Sequence, residues 1–71
     1  MAYATLRNVN HLALKAARER ADLTRDQACQ ATGISRNTIM RVEQGRQAPS
    51  ESQLRVFAEL YGVTYESLLF R

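Results

Sequence analysis

The most specific chemistry in this 71-residue chain is carried by Arg36, Asn37, Met40, Arg41 and Gln44. On a helix advancing about 100° per residue they share one continuous sector, roughly 140° wide. Ile39 and Val42 fall on the opposite side with Ser35. That apolar pair must face a core, which turns the other sector outward. A solvated helix face is the plain account of such a sector. Here, however, it lacks any acidic residue, and it holds Met40 where a solvent face would more often carry Glu or Lys. The major groove of DNA offers a partner to each member. Arg donates two bonds to guanine, Asn pairs with adenine through two atoms, and an apolar side chain touches the thymine methyl. We therefore expect Arg36, Asn37, Met40 and Arg41 to contact bases. Glu43 lies at the edge of the sector, where it would repel phosphate unless neutralised.

The elements that must position this face are legible from their ends. Thr24-Arg-Asp-Gln27 is a capping box that opens a helix, and Gly33 supplies the left-handed residue that closes it. Ser35 caps the next helix, which runs to about Gln44 before Gly45. A second capping box, Ser50-Glu-Ser-Gln53, follows Pro49, and Gly62 closes that helix. Thr64 caps a last short helix from Tyr65 to about Phe70. The first helix ends near Ala21 or Asp22. Its start lies between Thr5 and Asn10, with Asn8 and Asn10 both offering caps. No useful period-2 alternation occurs, so the expected architecture is all-α, a five-helix bundle in a single domain over 1–71. The helix-turn-helix occupies about 24–44, and helices 4 and 5 about 50–70.

Composition narrows the function classes. One domain is all the length allows, and a chain this short buries only about 60% of its unfolded surface. The lone Cys29 forms no internal disulfide, and one His with one Cys makes no zinc site. No cofactor or metal is expected. The net charge is +3, and the basic excess sits in the first two-thirds of the chain, which suits a polyanionic partner. MAYATLRNVNHL has no apolar signal region and no stretch approaches a membrane span, so the expected location is the cytoplasm.

The strings LKAAR, LTRDQACQATGISRNTIMRVEQGRQAPS and AELYGVTYESLL resemble the phage repressor and Cro helix-turn-helix family, also called Xre-like. The resemblance covers roughly Leu12 to Leu69, and its most specific part is the GIS-xx-TI-xx-xE-xG pattern before a Pro-Ser helix start. It implies a lambda-repressor-like DNA-binding domain in which helix 2 supports helix 3. It also implies base reading by Arg36, Asn37 and Arg41, phosphate contact by Ser35 and Arg46, and an internal Arg18–Glu43 ion pair. Arg25 and Gln44 join the expected phosphate contacts. The pairing is favoured on other grounds as well, since an unpaired Glu43 beside DNA would cost binding. Some positions depart from the family pattern. Arg25 stands where Gln is frequent, Ala28 where Leu is usual, Cys29 where Ala is usual, and Glu51 where an apolar residue is common.

Cys29 reads as a small core residue on the inner face of helix 2, and His11 as a surface or capping side chain. With no base beside either, no enzyme is expected. On helix 4, Leu54, Phe57, Ala58 and Tyr61 form a core stripe. Val56 and Leu60 fall on the other side, and with Phe70 they make an expected dimer seam. The sequence thus predicts a homodimeric regulator without an effector domain. It would bind double-stranded DNA at a palindromic operator and either block or contact RNA polymerase. The rival reading is a protein-interaction module, an anti-activator or antirepressor, that keeps the fold without binding DNA.

Overall fold

In the computed structural model, which describes residues 8–70, four α-helices and one 3-10 turn follow one another. They are α1 (His11–Arg20), α2 (Arg25–Thr32), α3 (Arg36–Glu43), α4 (Glu51–Tyr61) and the turn Glu66–Leu68. Asn10 begins α1: its Oδ1 accepts from the Ala13 amide at 3.1 Å. Thr5, the other limit of the predicted start, lies outside the described residues. The helix leaves through Asp22 at φ 62°, a left-handed conformation that a short polar side chain tolerates.

The fifth helix predicted from Tyr65 to about Phe70 is instead the single 3-10 turn. The Ser67 amide donates to the Thr64 hydroxyl at 3.2 Å, but Tyr65 holds the N-cap position without a side-chain bond, and Leu69 is extended at φ −112°, ψ 150°. The cause is competition for backbone bonds. Val9 and Leu69 form an antiparallel bridge, the Asn10 amide donates to the Leu68 carbonyl at 2.8 Å, and the Phe70 amide donates to Asn8 at 2.7 Å. These bonds replace those that a continuing helix would make. They tie the end of the described chain to the start of α1.

The core takes Leu14 and Ala17 from α1, Ala28 from α2, Ile39 and Val42 from α3, and Leu54, Phe57, Ala58 and Tyr61 from α4, closed by Leu68. Ala28 is fully buried, so the small residue brings α2 close to its neighbours. Leu60, expected outside the core's reach, is half-buried and packs against it. Val56 and Phe70 stay exposed, and so does Leu12, which the sequence did not single out.

Tyr61 stacks on Phe57 with ring centroids 5.8 Å apart, and its buried hydroxyl has no hydrogen-bond partner among the described residues. Burial, with Glu43 nearby, pushes its pKa up to about 12. An unfolded tyrosine ionises near pH 10, so the neutral ring's contribution is complete below pH 10 and is lost as pH rises through 12. Tyr61→Phe removes a hydroxyl that has no partner among the described residues and should stabilise the fold by about 1 kcal/mol at neutral pH. That gap should widen by about 1.4 kcal/mol at pH 11. Urea unfolding followed by circular dichroism at both pH values checks this, and a pH-independent gap would contradict it.

Candidate nucleic-acid interface

The turn between α2 and α3 is held by short-range bonds that fix the angle of the second helix. Thr24 and Gln27 cap α2 reciprocally, at 3.1 and 2.8 Å. Gly33 closes it at φ 76°. The Thr32 hydroxyl donates to Ala28 at 2.7 Å and accepts from the Ile34 amide at 3.1 Å, pinning the turn. Ser35 then caps α3 by accepting from the Thr38 amide at 3.1 Å. Ile39 and Val42, each 1% exposed, anchor α3 in the core.

With that anchor in place, Arg36, Asn37 and Arg41 are exposed on α3, Gln44 is exposed at its C-cap, and Met40 is half-buried. Ser35 and Arg46 are exposed at the two ends of the same helix. The Arg46 amide donates to the Arg41 carbonyl at 2.9 Å, which fixes where the chain leaves α3.

Glu43 does not sit at the edge of the outward face. It is 3% exposed, and three bonds from two arginines neutralise it. Arg18 places Nε 2.7 Å from Oε2 and Nη2 3.1 Å from Oε1. Its Nη1 donates to the Leu23 carbonyl at 2.7 Å, and its pKa is held above the usual value chiefly by the Glu43 bond. Arg25 adds its Nε at 3.1 Å from Oε1. Part of the guanidinium of Arg25, an expected phosphate contact, is thus spent on Glu43, and 31% of its side chain remains exposed. The cluster keeps one net positive charge just behind the outward face.

Two residues that sequence reasoning missed touch the candidate base readers. Asp26, on the first turn of α2, pairs with Arg36 Nε at 3.2 Å, both side chains 66% exposed. Gln47, in the loop after α3, accepts from Arg41 Nε at 3.0 Å. Helical periodicity carries no signal for either, because each contact joins α3 to something outside it. His11 is also corrected. It is half-buried, and a Cβ added to Gly45 would lie 3.0 Å from its Cε1, so its ring packs on the backbone that ends α3. Cys29 is half-buried against the core. Among the described residues, no group of His, Cys, Asp and Glu side chains is placed to hold a metal ion. No helix there is long and apolar enough to cross a membrane.

A sequence profile of a helix-turn-helix domain family matches residues 12–69. No curated protein matches the chain. Among solved structures, an HTH_3 family transcriptional regulator from Vibrio cholerae is similar, with a TM-score of 0.74 at 24% identity. The likeness covers 83% of this chain and 33% of that one, and it concerns the fold. This chain thus spans about a third of that regulator's length.

Proposed function

The chain belongs to the helix-turn-helix domain family, a non-enzymatic one, and on that premise we propose that it is a sequence-specific regulator that reads the major groove of double-stranded DNA with α3. One observation carries this reading. The outward face of α3 presents two arginines and an asparagine, with a glutamine at its C-cap, while the helix's one acidic residue is turned inward and neutralised. Arg36 and Arg41 suit guanine, Asn37 adenine and Met40 a thymine methyl. Arg25, Ser35, Gln44 and Arg46 flank them as phosphate contacts. The regulator acts from the cytoplasm by occupying an operator, which blocks or recruits polymerase.

Binding of genomic duplex fragments at two salt concentrations tests the proposal. Arg25 and Arg46 in each of two subunits would neutralise four phosphates. Affinity should then fall about a hundredfold between 50 and 200 mM salt. No shift on any fragment would favour the protein-interaction reading, with exposed Leu12, Val56 and Phe70 as its contact residues.

The operator-binding unit is a homodimer, with its seam at Val56 and Phe70 and the exposed part of Leu60. Such a contact sets the two α3 helices about one DNA turn, ~34 Å, apart on a palindrome. Val56 is 42% exposed, so Val56→Glu puts a charge in the seam without burying one in the monomer. Leu60→Glu would do both. Sedimentation should show Val56→Glu as a folded monomer with weakened operator binding. An unmutated protein that stays monomeric at tens of micromolar and on DNA removes the seam.

A further inference from the structure

The two arginines of α3 are held differently. Arg41 donates Nε to Gln47 Oε1 at 3.0 Å, a bond that leaves its two Nη groups out, whereas Arg36 lies in an ion pair with Asp26, Nε to Oδ1 3.2 Å, without an aligned hydrogen bond. The paired Nη edge is one that can donate two parallel bonds to the O6 and N7 of guanine. An arginine fixed at Nε therefore reaches the groove with part of its side-chain freedom already removed and its Nη edge still available.

The two anchors differ in firmness. Asp26 and Arg36 form a pair with both side chains 66% exposed, which solvent and salt screen heavily. Gln47 is half-buried, in a loop whose path is constrained on both sides. Gly45 sits at φ 75° beneath the His11 ring, the Arg46 amide is bonded to Arg41, and Pro49 is fully buried. The Arg41–Gln47 bond is itself exposed, but Gln47 extends from this constrained backbone, on the wall of a cavity it shares with His11, Val42 and Pro49. The acceptor is also neutral, so it holds Arg41 without cancelling its charge toward DNA.

We propose that Gln47 is a specificity-determining positioning residue: its Oε1 holds Arg41 Nε and orients the Nη edge toward one base pair of the operator. This rests on the reading of α3 as the groove-facing helix. Ordering one long side chain in advance is worth about two- to tenfold in binding, and the gain applies only where Arg41 meets its base.

The test is site selection from a pool of random 20-base-pair duplexes, followed by titration of the selected site and its single-base variants. Gln47→Ala should lower discrimination about two- to tenfold at one base pair per half-site. Other positions and affinity for random duplex should stay the same. Gln47→Glu keeps an oxygen at the same reach, so it should preserve the preference at that pair while weakening all binding through its charge. For contrast, the effect of Asp26→Ala on the Arg36 base pair should fade between 50 and 300 mM salt, whereas that of Gln47→Ala persists. A second measurement needs no DNA: the Arg41 Nε–H resonance of the free protein should lose protection from exchange in Gln47→Ala and keep it in Gln47→Glu. Unchanged base preference in Gln47→Ala, or an even loss at every position, overturns the role of Gln47 while leaving groove reading by α3 intact. An unmutated protein that selects no sequence overturns both.

Discussion

Glu43→Ala should cost about 3–5 kcal/mol of folding stability, the range for removing one partner of a buried ion pair. In a domain whose total stability is on the order of 5–15 kcal/mol, that is a large share. The substitution leaves Arg18, 7% exposed, with the Leu23 carbonyl as its remaining partner, and a buried guanidinium without a counter-charge is the costly product. Arg18→Ala should be milder for the fold, because Arg25 still reaches Oε1 at 3.1 Å. For DNA binding the order changes. Arg18→Ala leaves the carboxylate with one cation close behind the phosphate-facing surface, so it should weaken binding more than the double substitution does. Replacing both residues with apolar ones of similar size can be neutral for stability. The cluster's value therefore lies in where it holds α3 and in what it hides. A double-mutant cycle, read by urea unfolding and by DNA titration, should show coupling in both. Strict additivity would mean that the pair contributes nothing jointly.

What could be read from the chain depended on how local each interaction is. The caps were legible because each joins residues three apart: Thr24 with Gln27, Ser35 with Thr38, Ser50 with Gln53. Gly33 and Gly62 marked helix ends because both carry φ near +70°, a region open to glycine at little cost. The Arg18–Glu43 contact spans 25 positions, so no spacing argument reaches it. It came from the family resemblance and from the need to neutralise a carboxylate near DNA. Helical angles put Glu43 beside the outward sector, but only about 40° separates it from core-facing Ile39, and a long side chain turns inward across that gap. Leu60 was misplaced for a related reason. The angle describes one helix, whereas α4 is packed on more than one side. The pairing of Val9 with Leu69 has no sequence signature at all, since a single bridge leaves no alternation to detect. Gln47 was missed and His11 misplaced because their roles depend on how the loop after Gly45 folds back, and periodicity stops at that glycine.

Substitution on the α3 face should separate base reading from phosphate contact. Arg36→Ala, Asn37→Ala and Arg41→Ala should each cost about 1–3 kcal/mol per half-site on the cognate duplex, which doubles to roughly 2–6 kcal/mol if both halves of a palindrome are read. Each loss should fall on particular base pairs, because a bidentate donor distinguishes guanine from the alternatives only where it docks. Arg46→Ala should behave differently. An exposed cation just past α3 contributes mainly through counterion release, so its loss should weaken cognate and random duplex by the same factor and lower the salt slope by about 1 per subunit. Arg25→Ala is a less clean probe than the sequence alone suggested. Removing it also strips one bond from Glu43, so a fall in stability should accompany the fall in binding. The measurement is a titration of each variant against the cognate site, its single-base variants and random duplex at two salt concentrations. If Arg36, Asn37, Arg41 and Arg46 lose binding equally on every sequence, α3 is not reading bases. The face would then be a general polyanion contact.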